Sequence, residues 1–294
     1  MTKAKQKSPV AENGQIPSLP IRVMGIININ NESFYGKSRR ITVEDVEKAY
    51  LQMIEDGADI IDIGACSTRP GSTPVTLEQE WEYLEKPLER LAEMASERFC
   101  EGKTVPEISI DTFRSEIARR ACDIFGPIIV NDISAGEDDP EMLETVADYG
   151  LPFIAMHKRG TPDTMQAMTD YPKGVVAEVK RYFEAFAEKA EKFGIEDWIL
   201  DPGFGFAKTV EQNYELLEGL DQFQSLERPV LAGLSRKSMI YKLLEITPEE
   251  SLSATCVLNY RALQKGATIL RVHDVKEAVQ TVKLYKRLLK SPAP

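Results

Sequence analysis

Beyond residue 20 the chain alternates two kinds of hydrophobic pattern. Short, nearly unbroken apolar runs rich in β-branched residues occupy positions 22–28, 58–64, 107–112, 128–134, 152–157, 198–203, 229–235 and 268–274. Strands buried on both faces read this way. Between the runs lie stretches with apolar residues three and four apart, over 43–55, 77–94, 115–124, 141–149, 174–193, 210–223, 251–265 and 275–289. Thr42 and Thr76 precede glutamate-bearing first turns, and Pro140 and Pro248 stand at helix entries, all of them helix-start signals. Strands alternating with helices predict parallel βαβ units. The eight repeats predict closure into a single-domain α/β fold, a (β/α)8 TIM barrel over residues 21–294. An open doubly wound sheet is the alternative. Residues 1–20 are polar and lack an apolar core, so they read as a flexible tail rather than a secretory leader.

The ends of the apolar runs carry the polar residues. The first ends in Asn28, and the second leads into Cys66-Ser67-Thr68-Arg69-Pro70-Gly71. The third and fourth end in Asp111-Thr112 and Asn131-Asp132, and the fifth in His157. The sixth carries Asp201-Pro202-Gly203, the seventh leads into Ser235-Arg236-Lys237, and the eighth carries Arg271, His273 and Asp274. In a (β/α)8 barrel the C-terminal strand ends share one face, where active sites form. Simpler readings stand beside this one. Asp111 and Asn131 could cap the helices that follow, and Asp201-Pro202-Gly203 could be an ordinary turn. His157 could be a hydrogen-bonded structural histidine. Asp62, within a strand, reads as a buried, paired polar residue and is left out of the site.

Asp111, Asn131 and Asp201 would suit a flat heterocycle with an amino-pyrimidine edge. A carboxylate accepts parallel N–H bonds, and an amide both donates and accepts. Arg69, Lys237, Arg271 and His273 add positive charge. The segment 233–238 runs from a strand into a helix start, where free N–H groups favour an anion. The oxygen of Asn28 could ligate Mg2+ beside a substrate phosphate. The residues therefore point to a ligand with one hydrogen-bonding ring and one phosphate or carboxylate. The net charge of −11 argues against general binding to nucleic acid or an anionic membrane, and it requires the cations that meet an anionic ligand to be gathered locally. Cys66, Cys100, Cys122 and Cys256 show no metal-like spacing, which favours reduced thiols in the cytoplasm. No apolar stretch approaches the roughly 20 residues of a membrane span.

The runs also resemble the dihydropteroate synthases over residues 21–290. The matching pieces are MGIIN with Ser33-Phe34, ADIIDIG, STRPG, SIDT, VNDIS, MHKRGTPDTMQ, ILDPGFGFAKT, GLSRKS and ILRVHDV. The resemblance implies that Asp111, Asn131, Asp201 and Lys237 hold a pterin, with Met156, Phe206 and Gly233 lining its slot. It assigns Arg271 and His273 to the diphosphate and Asn28 to Mg2+. Thr68, Arg69 and Pro70 belong to a loop over the p-aminobenzoate subsite, Phe34 to a second loop, and Ser238 lies near the benzoate carboxylate. The implied reaction joins a pterin methyl diphosphate to p-aminobenzoate, in a sulfonamide-sensitive, homodimeric enzyme. Two departures fall on the loops. Residues 29–37 read INNESFYGK where the family is close to VTPDSFSDGG, and Ala65-Cys66 replaces Gly-Glu. Two other readings are a pterin-binding corrinoid methyltransferase and a non-catalytic pterin-binding relative.

Overall fold

A computed structural model describes residues 19–29, 41–66, 75–161 and 164–289. Its strands are β1 Arg22–Asn28, β2 Ile60–Gly64, β3 Glu107–Asp111, β4 Ile129–Asp132, β5 Phe153–Met156, β6 Trp198–Asp201, β7 Leu231–Ala232 and β8 Ile269–Val272. Its helices are α1 Val43–Asp56, α2 Leu77–Cys100, α3 Ser115–Phe125, α4 Met142–Tyr149, α5 Val175–Phe193, α6 Val210–Glu218, α7 Ser238–Leu244, α8 Leu252–Gln264 and α9 Val275–Leu289. The strands pair in parallel in the order β6-β5-β4-β3-β2-β1-β8-β7. The two ends of that order meet in a parallel bridge between Leu200 and Val230, and Leu200 N donates to Pro229 O at 2.9 Å. The sheet closes on itself into the barrel that the repeats predict, and the open-sheet alternative is excluded.

Local chemistry sets the helix starts. The hydroxyls of Thr42, Thr76 and Thr209 accept from the N–H groups of Asp45, Gln79 and Gln212, whose side chains accept the threonine N–H in return. Each box satisfies donors that a helix ladder leaves open. Two elements differ from expectation. The helix expected over 210–223 stops at Glu218, and Leu220–Leu226 follows as a 3-10 helix. A side chain at Gly219 would meet Val176 Cγ2 at 2.6 Å, so glycine lets this break press against α5. The helix start after β7 becomes a separate helix, α7, and two helices span the β7–β8 connection.

Two cores flank the sheet. The larger, between strands and helices, includes Ile61, Ile63, Val130, Phe153, Leu200 and Leu270. The smaller fills the barrel with Met24, Ile60, Ile129, Ile154, Ile199, Leu231 and Ile269. Each isoleucine of that plug contributes about 1.5–3 kcal/mol by leaving water. Side chains alternate faces along a strand, so the residue two positions on also points inward. Two positions on from Ile129, Ile154, Ile199, Leu231 and Ile269 stand Asn131, Met156, Asp201, Gly233 and Arg271. Parity delivers these five to the C-terminal mouth above the apolar plug.

Candidate active site

The mouth holds a pocket lined by Asp111, Asn131, Ile133, Met156, Asp201, Gly203, Phe204, Phe206, Gly233, Lys237 and Arg271. The expected pterin residues Asp111, Asn131, Met156, Asp201, Phe206, Gly233 and Lys237 are thus together, and Arg271 is with them. Asn28 ends β1, Ser238 opens α7 and His273 follows β8, all at the same end of the barrel but outside this lining. Phe34, Thr68, Arg69 and Pro70 lie outside the described residues.

Arg271 organises one side. Its Nε donates to Asp62 Oδ2 at 2.7 Å, and Nη2 donates to Asp111 Oδ2 at 2.7 Å. Asn131 Nδ2 donates to the same Asp62 oxygen at 3.1 Å. Asp62 therefore braces two pocket residues from below, a role the sequence reading missed. Its inward parity with Ile60 was the available signal. Burial works against the charge on Arg271, but Asp62 and Asp111 hold its pKa well above the usual range. Burial pushes the Asp111 carboxyl up to about 7; Arg271 pulls against this shift, while Asp62, Glu80 and Asp132 add to it. A side chain at Gly64 would come within 3.0 Å of Asp111 Cβ, so glycine there leaves Asp111 its room. Neither Asp111 nor Asn131 is a helix cap. The turn chemistry after β4 falls to Asp132, whose carboxylate accepts from Ser134 N, Ser134 Oγ and Gly136 N, each at 2.7 Å.

The opposite wall is the loop after β6. Asp201 Oδ1 accepts from Gly203 N at 2.8 Å, so Asp201 both closes the expected turn and lines the pocket. Burial raises its pKa, with Gly203 N–H, Lys237 and Arg271 opposing. Gly203 is required by space and conformation: its φ is 69°, and a Cβ would lie 2.0 Å from His157 O. Lys237 Nζ sits 4.7 Å from the centre of the Phe206 ring, a cation–π contact that fixes both.

The two histidines separate. His157 faces away from the pocket, with Nδ1 3.1 Å from Lys208 Nζ and its ring edge-on to Tyr182 at 5.0 Å. Burial, then Lys208 and Arg159, push it down to about 2, so it is neutral and structural. His273 Nδ1 lies 3.0 Å from Ser235 Oγ at the rim. Burial, then Arg236 and Arg271, push it down to about 4. Arg236, which stands beside Lys237 at the end of the seventh run, is held by Asp274 through Nε at 3.3 Å and Nη2 at 2.7 Å.

The arrangement offers carboxylates and an amide to one edge of a flat ring, apolar side chains to its faces, and cations beside it. A family model described as pterin binding enzyme matches residues 24–273. Dihydropteroate synthase of Escherichia coli (strain K12) is 40% identical over 269 residues, covering 91% of each chain. The chain belongs to the pterin-binding enzyme family. Members of the family with solved structures share the fold in detail. The Xanthomonas albilineans dihydropteroate synthase solved with 4-aminobenzoic acid superposes with a TM-score of 0.82 at 36% identity, covering 93% of this chain and 94% of that one. The Yersinia pestis dihydropteroate synthase in a sulfonamide drug complex gives 0.84 at 30% identity, with coverage of 96% and 99%. The family match runs from β1 through β8, and every pocket residue named above falls within it. Among the described residues, no helix is long and apolar enough to cross a membrane.

Proposed function

We propose that this chain is a transferase of folate biosynthesis, a dihydropteroate synthase. It condenses (7,8-dihydropterin-6-yl)methyl diphosphate with p-aminobenzoate to give 7,8-dihydropteroate and diphosphate. The observation that carries the reading is the convergence of Asp111, Asn131, Asp201, Lys237 and Arg271 on one pocket. Asp111, Asn131 and Asp201 bind the amino-pyrimidine edge of the pterin, and Met156 and Phe206 take its faces. The C–O bond to diphosphate breaks, and both electrons leave with the diphosphate. The cation left behind is delocalised into the pterin ring, and the Asp111 carboxylate stabilises it. The neutral arylamine of p-aminobenzoate forms the new C–N bond and releases one proton. Arg271 and His273 serve the leaving diphosphate. Arg271 is held by both Asp62 and Asp111, which keeps its guanidinium at the pocket.

Mg2+ fits this donor set only as a partner of substrate phosphate. Among the described residues there is no cluster of three or more His, Cys, Asp or Glu side chains suited to a metal. A single amide oxygen from Asn28 matches an ion that keeps waters and phosphate oxygens as its other ligands. The ion would neutralise charge on the leaving group. Thr68, Arg69, Pro70 and Phe34 are assigned to the loops over the p-aminobenzoate subsite, and Ser238 to the benzoate carboxylate. The exposed Val257, Leu284 and Leu288 on α8 and α9 suit a homodimer interface. The free cysteines suit the reducing cytoplasm.

One preparation tests the reading. On a sizing column the protein should elute at twice 33.0 kDa; elution at the protomer mass removes the dimer. With pterin diphosphate, Mg2+ and p-aminobenzoate it should release diphosphate, and a sulfonamide should compete with p-aminobenzoate. Pterin binding with no p-aminobenzoate-dependent release would make it a non-catalytic relative. Demethylation of a methylated folate with a corrinoid acceptor would make it a methyltransferase.

A further inference from the structure

Lys208 is buried and does not line the pocket. Its Nζ contacts Gly203 O at 2.9 Å, Phe206 O at 3.0 Å and His157 Nδ1 at 3.1 Å. An ammonium has three N–H donors, and each has a partner here. Neutral His157 can accept at Nδ1 only in the tautomer that leaves this nitrogen unprotonated, which a facing ammonium favours. Two of these contacts lead directly to the ligand wall. Gly203, which receives Lys208 at its carbonyl, caps Asp201 Oδ1 through its own N–H at 2.8 Å. Phe206, held by its carbonyl, carries the ring on which Lys237 rests.

The segment needs holding. Gly203, Gly205 and Ala207 have φ of 69°, 83° and 51°, and a non-glycine residue in that region is strained. A methionine would fill the same space without the cost of removing an ammonium from water. That cost is visible in the lysine itself, which burial pulls down to about 7. A costly buried cation whose donors all go to one loop and the histidine behind it has a purpose in fixing that loop.

We propose that Lys208 is a positioning residue for the pterin: from behind the pocket wall it fixes Asp201, through Gly203, and Phe206, through its carbonyl. The proposal rests on the pterin reading above. It acts on the first substrate only, because none of its contacts reaches the β1–β3 side of the barrel.

The test is a double-mutant cycle on the full chain with Lys208→Met, Phe206→Ala and the pair. Binding of pterin diphosphate is measured by calorimetry, and the KM of p-aminobenzoate at saturating pterin. K208M should weaken pterin binding about tenfold or more, the scale of a misplaced binding group. The KM of p-aminobenzoate should stay within about threefold. In the Phe206→Ala background the K208M loss should shrink, because the two substitutions disturb one wall. Wild-type affinity in K208M, fully independent losses in the pair, or a lower kcat with both substrate constants unchanged would overturn the proposal. The last outcome is the mark of lost folded enzyme alone. If thermal unfolding shows K208M unfolded at the assay temperature, the cycle is run at a temperature below its unfolding transition under the same criteria. Wild type that binds pterin diphosphate without releasing diphosphate ends the enzyme reading but leaves this cycle intact. Wild type that does not bind it ends both.

Discussion

At the residue scale the pocket is a balance between Arg271 and the carboxylates around it. Asp62 and Asp111 share one guanidinium, and Asn131 leans on the same Asp62 oxygen. The pterin contact proposed for Asp111 requires its ionised form, because only a carboxylate accepts two N–H bonds. Its pKa is raised from 3.8 to about 7. A raised acid stays protonated to higher pH, so the ionised fraction climbs between about pH 6 and 8. Affinity for an uncharged pterin, which has no phosphate to titrate, should therefore rise across that interval in the wild type. In Asp111→Asn the rise should disappear. An equal rise in both proteins would assign the titration to another group. Most of these residues were legible in the sequence because they sit at strand ends, where polarity interrupts an apolar run. Asp62 was legible as a buried, paired polar residue but not as part of the site, because only barrel parity shows which way a polar residue inside a run points. Lys208 was equally hidden: its ammonium folds back behind the loop, and sequence gives the residue type but not that direction.

At the element scale, α2 and α3 meet β3 through a buried charge. Glu80 is fully buried, pairs with Arg114 and accepts from Thr112 Oγ1 at 2.7 Å. Arg114 Nη2 donates to Val75 O at 2.6 Å, and Nη1 lies 3.5 Å from Cys66 Sγ. One guanidinium thus ties the chain on both sides of residues 67–74 to the helix that follows β3. Cys66 stands where the family carries glutamate, and burial, then Glu80, push its thiol up to about 12. Replacing Arg114 by methionine strands the Glu80 carboxylate in the interior. The loss should be about 3–5 kcal/mol in chemical denaturation, as for other broken buried pairs. Adding Glu80→Gln should restore most of it, since the uncompensated charge is then gone. A single variant as stable as wild type would show that Glu80 finds other partners. Helix starts were the most legible elements, because capping threonines are local signals. The break at Gly219 was not, because it depends on Val176 from another helix.

At the scale of the whole molecule, a chain of net charge −11 gathers Lys208, Lys237 and Arg271 about one end of a barrel. The long-range field repels an anionic substrate, and the local site attracts it over a shorter range. Closure between Leu200 and Val230 turns eight strand ends into one rim, and the apolar plug beneath sets the level at which polar residues begin. The repeat count pointed to barrel closure but left an open sheet as the alternative, which the Leu200–Val230 bridge removed; the sharing of Arg271 between two carboxylates left no trace in the sequence, because Asp62, Asp111 and Arg271 come from three different strands. The rim is proposed as a pterin slot with Asp111, Asn131 and Asp201 along one edge. The most direct measurement is a crystal structure of the protein with pterin diphosphate. The ring should lie in the pocket with its amino-pyrimidine edge on those three side chains and Phe206 against one face. A ring bound elsewhere on the barrel, or bound with that edge turned to solvent, would contradict it.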